Sequence, residues 1–65
     1  MKQEKILKYI KEYIEKNEFS PSFREIASKM NMPVSSVAFE LKSMKEKGII
    51  TYIPKISRTI RIIDK

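Results

Sequence analysis

Three residues, Asn31-Met32-Pro33, interrupt the helical periodicity of the chain between Met30 and Val34, and so short a break constrains everything around it. Before it, Ser22 and Glu25 form the S-x-x-E pattern of a capping box, in which each side chain satisfies a free backbone N–H at a helix start. A helix over about 23–30 follows, with Ile26, Ala27 and Met30 on its buried side. Asn31 can take the left-handed conformation that usually calls for glycine, and Pro33 suits the first position of a third helix, whose body spans about 34–47. Gly48, the only glycine, stands where the left-handed end of that helix is expected, just past Lys45 and Lys47. Val37, Leu41 and Met44 form its apolar stripe. A connection of three or four residues makes two such helices cross steeply and holds the later one out from the body.

The flanking segments supply that body. Over about 2–17, Ile6, Leu7, Tyr9, Ile10, Tyr13 and Ile14 fill an arc of roughly 160° at about 100° per residue, and the charged residues fall outside it. This is an amphipathic helix lying on a core. A basic helix on a membrane surface is disfavoured, because four Glu nearly cancel five Lys between Met1 and Glu18. Phe19 is placed to pack against the body or to add a short edge strand. After Gly48, the β-branched runs Ile49–Ile53 and Thr59–Ile63 flank Pro54-Lys55-Ile56-Ser57-Arg58, which predicts a hairpin over about 49–63. Without repeats, low-complexity tracts or linkers, residues 1–65 read as a single domain. Its class is mainly α with a small β-hairpin (α+β), a three-helix winged helix-turn-helix.

Composition narrows the function. The 65 residues contain neither Cys nor His, which removes the thiol nucleophile, the imidazole base, the thiolate zinc site and any disulfide framework. So short a chain buries only about 60% of its unfolded surface, leaving little for an enclosed pocket. A Ser with a Lys base could hydrolyse something in principle, but nothing places one beside a pocket. No enzyme, cofactor, metal or small-molecule ligand is expected. Fourteen Lys or Arg against eight Asp or Glu give a net charge of +6, and nucleic acid is the commonest anionic partner of a small basic domain. The longest apolar stretch, Ile49 to Ile53, contains a Thr and stops at Pro54. That excludes a transmembrane helix and a secretory signal, so the expected location is cytoplasmic, away from membranes.

Particular segments also carry a family resemblance. Ser20-Pro21-Ser22-Phe23-Arg24-Glu25-Ile26-Ala27 resembles the P-P-[ST]-x-x-E-I-[AG] opening of the helix-turn-helix in LexA-type repressors. Leu41 to Ile50 is similar to that family's L-x-x-L-x-x-K-G-[VLI]-I, and Ser57 to Ile62 to its S-R-x-[IF]-R-[LI]. The resemblance implies a double-stranded DNA-binding protein, a small transcriptional regulator or repressor that inserts its third helix in the major groove and lays the wing on the phosphate backbone. The connection into the third helix is one residue shorter than is usual in the family, and the helix positions facing DNA hold different side chains. The family's C-terminal self-cleaving and dimerising domain is not found in this sequence, so binding as a weak homodimer or as paired monomers on DNA is expected.

With Val37, Leu41 and Met44 inward, helical geometry turns Ser35, Phe39, Lys42 and Glu46 outward, with Ser36 and Ser43 beside them. Ser35, Ser36, Ala38 and Phe39 match the family's base-contacting positions. Serine hydroxyls donate and accept, and aromatic or methyl groups can pack on thymine methyls, which favours A·T-rich sites. Ser35 and Ser36 could instead simply cap the helix start. Phosphate contacts are expected from Ser22, Arg24 and Lys29 on the second helix, from Lys42, and from Lys55, Ser57, Arg58 and Arg61 in the wing, with Arg58 and Lys55 the first choices. From Ile49 onward there are four positive residues against one Asp. Arg61 should face solvent, where it reaches a phosphate or pairs with a Glu of the first helix. The alternative function is a winged-helix protein-interaction module without direct DNA binding, for which Phe39, Ile56 and Ile63 would form the apolar contact.

Overall fold

The computed structural model describes residues 2–63, with helices α1 (Lys2–Asn17), α2 (Phe23–Met30) and α3 (Val34–Glu46) and a two-stranded sheet of β1 (Ile50–Thr51) and β2 (Arg61–Ile62). The core lies where these elements meet. Ile6 and Ile10 of α1, Ile26 and Ala27 of α2, Val37, Leu41 and Met44 of α3, Ile50 of β1 and Ile60 beside β2 are all buried. Leu7, Tyr9, Ile14, Met30 and Met32 pack half-buried against that cluster. Each fully buried aliphatic side chain contributes about 1.5–3 kcal/mol, which lets a chain of this size hold together without a disulfide or metal.

The helix ends follow their local chemistry. At the start of α2, the Glu25 N–H donates to Ser22 Oγ at 3.2 Å and the Ser22 N–H donates to Glu25 Oε1 at 2.9 Å, completing the capping box. At its end Asn31 is left-handed (φ 57°), and the N–H groups of Met32 and Asn31 reach the carbonyls of Ala27 and Ser28. This is the crossed pair of bonds that closes a helix onto a left-handed residue. Gly48 (φ 78°) closes α3 in the same way, through Ile49 N–H to Met44 O and Gly48 N–H to Lys45 O. Pro33 precedes the helix rather than occupying its first turn. Its extended ψ of 149° sets its carbonyl to accept from the N–H groups of Ser36 and Val37. No side chain caps α3, so Ser35 and Ser36 are not its caps.

The hairpin is where expectation and structure differ most. It is antiparallel, with Ile50 opposite Ile62 and Thr51 opposite Arg61, but each strand is two residues long rather than five. Side chains take over the backbone groups beyond Thr51. Lys45 Nζ donates to the Tyr52 carbonyl at 3.0 Å, the Ile53 N–H donates to Thr59 Oγ1 at 2.9 Å, and Pro54 has no N–H to give. The tip then turns through Pro54 and a left-handed Lys55 (φ 69°), with Ile56 N–H donating to Ile53 O. Phe19 forms no strand; it packs edge-on against Tyr13 with ring centroids 5.8 Å apart.

Candidate nucleic-acid interface

Burial along α3 separates its two faces cleanly. Val37, Leu41 and Met44 are buried, while Ser35, Phe39, Lys42 and Glu46 are exposed in a stripe spaced four, three and four residues apart, with Ser36 and Ala38 half-buried on its flanks. Phe39 is 72% exposed, the most open of the large apolar side chains among the described residues. Its position therefore follows from the helix rotation and not from any place in the core. Two side chains at the edges of α3 are anchored elsewhere. Glu40 accepts from Gln3 Nε2 at 2.9 Å, and Lys45 sits 4.7 Å from the centroid of the Tyr52 ring, which in turn meets Phe23 edge-on. These contacts tie α3 to α1 on one side and to the hairpin on the other, leaving the Ser35–Phe39–Lys42 stripe facing outward.

The start of α2 offers a second set of groups. Phe23 and Arg24 lie in the first turn, where backbone N–H groups have no intrahelical acceptor. The Ser22 hydroxyl is half-buried and already accepts from Glu25 N–H, which leaves its own proton free to donate. Arg24 and Lys29 are exposed and, like Lys42, Lys55 and Arg61, have no hydrogen-bond or ion-pair partner among the described residues. Lys55 and Ser57 are exposed in the hairpin turn. Arg61, opposite Thr51, lines an open groove with Lys11 and Glu15 of α1 and Glu18 just beyond it, and pairs with none of them.

Arg58 differs from every other cation of the expected set. Its Nη2 lies 2.9 Å from Glu25 Oε1, its Nη1 donates to Tyr13 Oη and to the Ser20 carbonyl, both at 3.2 Å, and its guanidinium carbon stands 5.0 Å from the centroid of the Phe19 ring. Tyr13 Oη donates in turn to Glu25 Oε2 at 2.9 Å. The Ser22 backbone N–H, then the Tyr13 hydroxyl, hold the Glu25 carboxyl below its ordinary range, with Arg58 adding to them. Tyr13 and Glu25 were legible as a core-arc residue and a cap, but not as partners of a wing cation. Only the oddity of a hydroxyl on the apolar arc of α1 hinted at a polar contact there.

Among the described residues no group of acidic side chains could hold a metal ion, and no helix is long and apolar enough to cross a membrane. Residues 1–59 match the family model described as the LexA DNA binding domain. The chain is 38% identical over 64 residues to a LexA repressor of Thermosipho melanesiensis, covering 98% of this chain and 32% of that protein. It is 37% identical over 62 residues to a LexA repressor of a Nocardioides species (94% and 25%), and 36% identical over 61 residues to that of Thermotoga maritima (94% and 31%). The chain thus spans about a third or less of the length of these relatives.

Proposed function

The chain belongs to the LexA DNA-binding domain family, and from that premise we propose that it binds double-stranded DNA as the operator-reading part of a transcriptional repressor. The observation that carries this reading is the outward stripe of α3: a largely exposed Phe39 between Ser35 and Lys42, on a helix entered from a three-residue turn. On that otherwise polar stripe the exposed ring offers a partner a large apolar contact flanked by hydrogen-bonding and charged groups. In the major groove, Ser35, Ser36, Ala38 and Phe39 meet base edges and thymine methyls. Lys42, the start of α2 with Ser22, Arg24 and Lys29, and the wing residues Lys55 and Ser57 meet phosphates. Arg61, on the α1 side of the hairpin, lines a groove with Lys11 and Glu15 and stands apart from these contacts.

Neither Arg nor Asn stands on the reading face, so direct discrimination is modest and A·T-rich shape contributes to it. The family is a DNA-binding domain and not an enzyme, and the function needs no cofactor. A helix of this length reads a short site, so two copies on adjacent half-sites extend it, in the cytoplasm where the DNA lies. The test is a salt titration of duplex affinity. Four to six phosphate contacts give a slope of log affinity against log salt of roughly −4 to −5. Affinity independent of salt, or retention of one protein partner with no duplex bound at low salt, would instead favour a protein-docking role.

A further inference from the structure

We propose that Arg58 is a positioning residue: its guanidinium clamps the wing to α1 and α2, so that Lys55 and Ser57, and not Arg58, face the DNA backbone. Three separate segments supply the clamp. Tyr13 comes from α1, Phe19 and the Ser20 carbonyl from the connection, and Glu25 from the first turn of α2. Ser20 is buried and braces the same place from behind, its hydroxyl accepting from the Ile60 N–H at 3.2 Å. Arg58 itself is left-handed (φ 60°). Lys55 at the tip shares that conformation (φ 69°), so it is the four guanidinium contacts, and not the backbone, that set Arg58 apart.

Glu25 gives the clamp its meaning. One carboxylate caps the start of α2 and grips the wing cation, so the helix start and the hairpin are held at one separation. Both are elements that meet the phosphate backbone in the reading above. Swinging Arg58 out to a phosphate would leave the Glu25 carboxylate without its cation and remove the ties of the hairpin turn to Tyr13, Phe19 and the Ser20 carbonyl. Lys55, three residues earlier at the tip, has no hydrogen-bond or ion-pair partner among the described residues to lose. The consequence for binding, though not the clamp itself, rests on the proposed DNA-binding function.

Salt dependence separates the two roles. Duplex affinity is measured against NaCl concentration for the wild-type chain, Lys55→Asn, Arg58→Ala, Arg58→Lys and Tyr13→Phe. Asn is chosen at position 55 because it tolerates left-handed backbone. Losing one phosphate contact makes the log–log slope shallower by about 0.9, which is expected for Lys55→Asn. Arg58→Ala is expected to weaken binding several-fold at the wild-type slope. Arg58→Lys keeps the charge but not the planar fork, and is expected to behave like Arg58→Ala. Tyr13→Phe, which removes no charge, should move affinity the same way, and carries the test if Arg58→Ala does not fold.

In the free protein, the heteronuclear NOE of backbone amides from 55 to 59 should fall in the Arg58 variants while the helical amides keep theirs. A shallower slope for Arg58→Ala, full affinity in Arg58→Lys, or an unchanged wing NOE would overturn the clamp. A wild-type chain that bound no duplex would refute the DNA-binding reading alone, and the NOE comparison would still decide whether Arg58 holds the wing.

Discussion

Phe39→Ala separates recognition from folding more sharply than any other single change. A phenylalanine side chain presents about 200 Å², and at 72% exposure roughly 145 Å² of it is open to a partner. If bases and sugars cover half of that, about 70 Å² leaves water, worth about 1.8 kcal/mol at ~25 cal/mol per Å². Duplex affinity should therefore fall about 20-fold for the preferred sequence. Folding stability should change by less than ~1 kcal/mol, as at most surface positions. Leu41→Ala, two residues along on the buried face, should cost about 2–5 kcal/mol of stability. Fluorescence anisotropy with duplexes in which thymines are replaced one at a time by uracil locates the contact. The wild-type chain should lose affinity where a methyl group meets Phe39, and Phe39→Ala should be indifferent to that replacement. The salt slope should not move, because no charge is removed. An unchanged ranking of duplexes in Phe39→Ala, or a loss of stability comparable to that of Leu41→Ala, would refute the placement of this side chain on the reading face.

Two further outcomes concern the frame that presents that face. Asn31→Ala places a Cβ without a compensating polar group in the left-handed position that ends α2, and should cost about 1 kcal/mol, or roughly 4–8 °C in Tm. Asn31→Gly should lie within ~0.5 kcal/mol of wild type in urea denaturation, because the two effects of glycine oppose each other. The Glu25 carboxyl titrates below its unfolded value, held there first by the Ser22 N–H and next by the Tyr13 hydroxyl. Its contribution is therefore present above the unfolded carboxylate range near pH 4–5 and is lost as pH falls through the lower folded value. Thermal melts of Glu25→Gln should show a flatter decline below about pH 5 than the wild type.

How much of this was legible in the sequence depends on how far apart the interacting residues lie. The three helices, their ends at Asn31 and Gly48, and the rotation of α3 rest on relations within a few residues, and periodicity and capping chemistry express these directly. The hairpin was legible as β-branched runs around a turn, but the extent of its strands was not. Lys45 and Thr59 take backbone groups that the alternating pattern assigns to a ladder, and only the folded chain brings Lys45 to Tyr52. Pro33 was displaced by one position because its fixed φ suits either the last extended residue or the first helical one, and ψ decides between them.

The wing cations show the limit most clearly. Lys55 and Arg58 stand three residues apart in one turn, carry the same charge, and both have left-handed backbone. Counting charge gives them the same role. What separates them is their contacts: Lys55 is exposed at the tip with no partner among the described residues, whereas Arg58 folds back onto Tyr13, 45 positions away in sequence, and Glu25, 33 positions away. A guanidinium with four neighbours is part of the scaffold even when it is partly exposed, and its removal should be felt as misplacement of the groups around it. A basic turn thus holds two kinds of cation, one exposed at the tip and one that ties the turn to the helices beneath it.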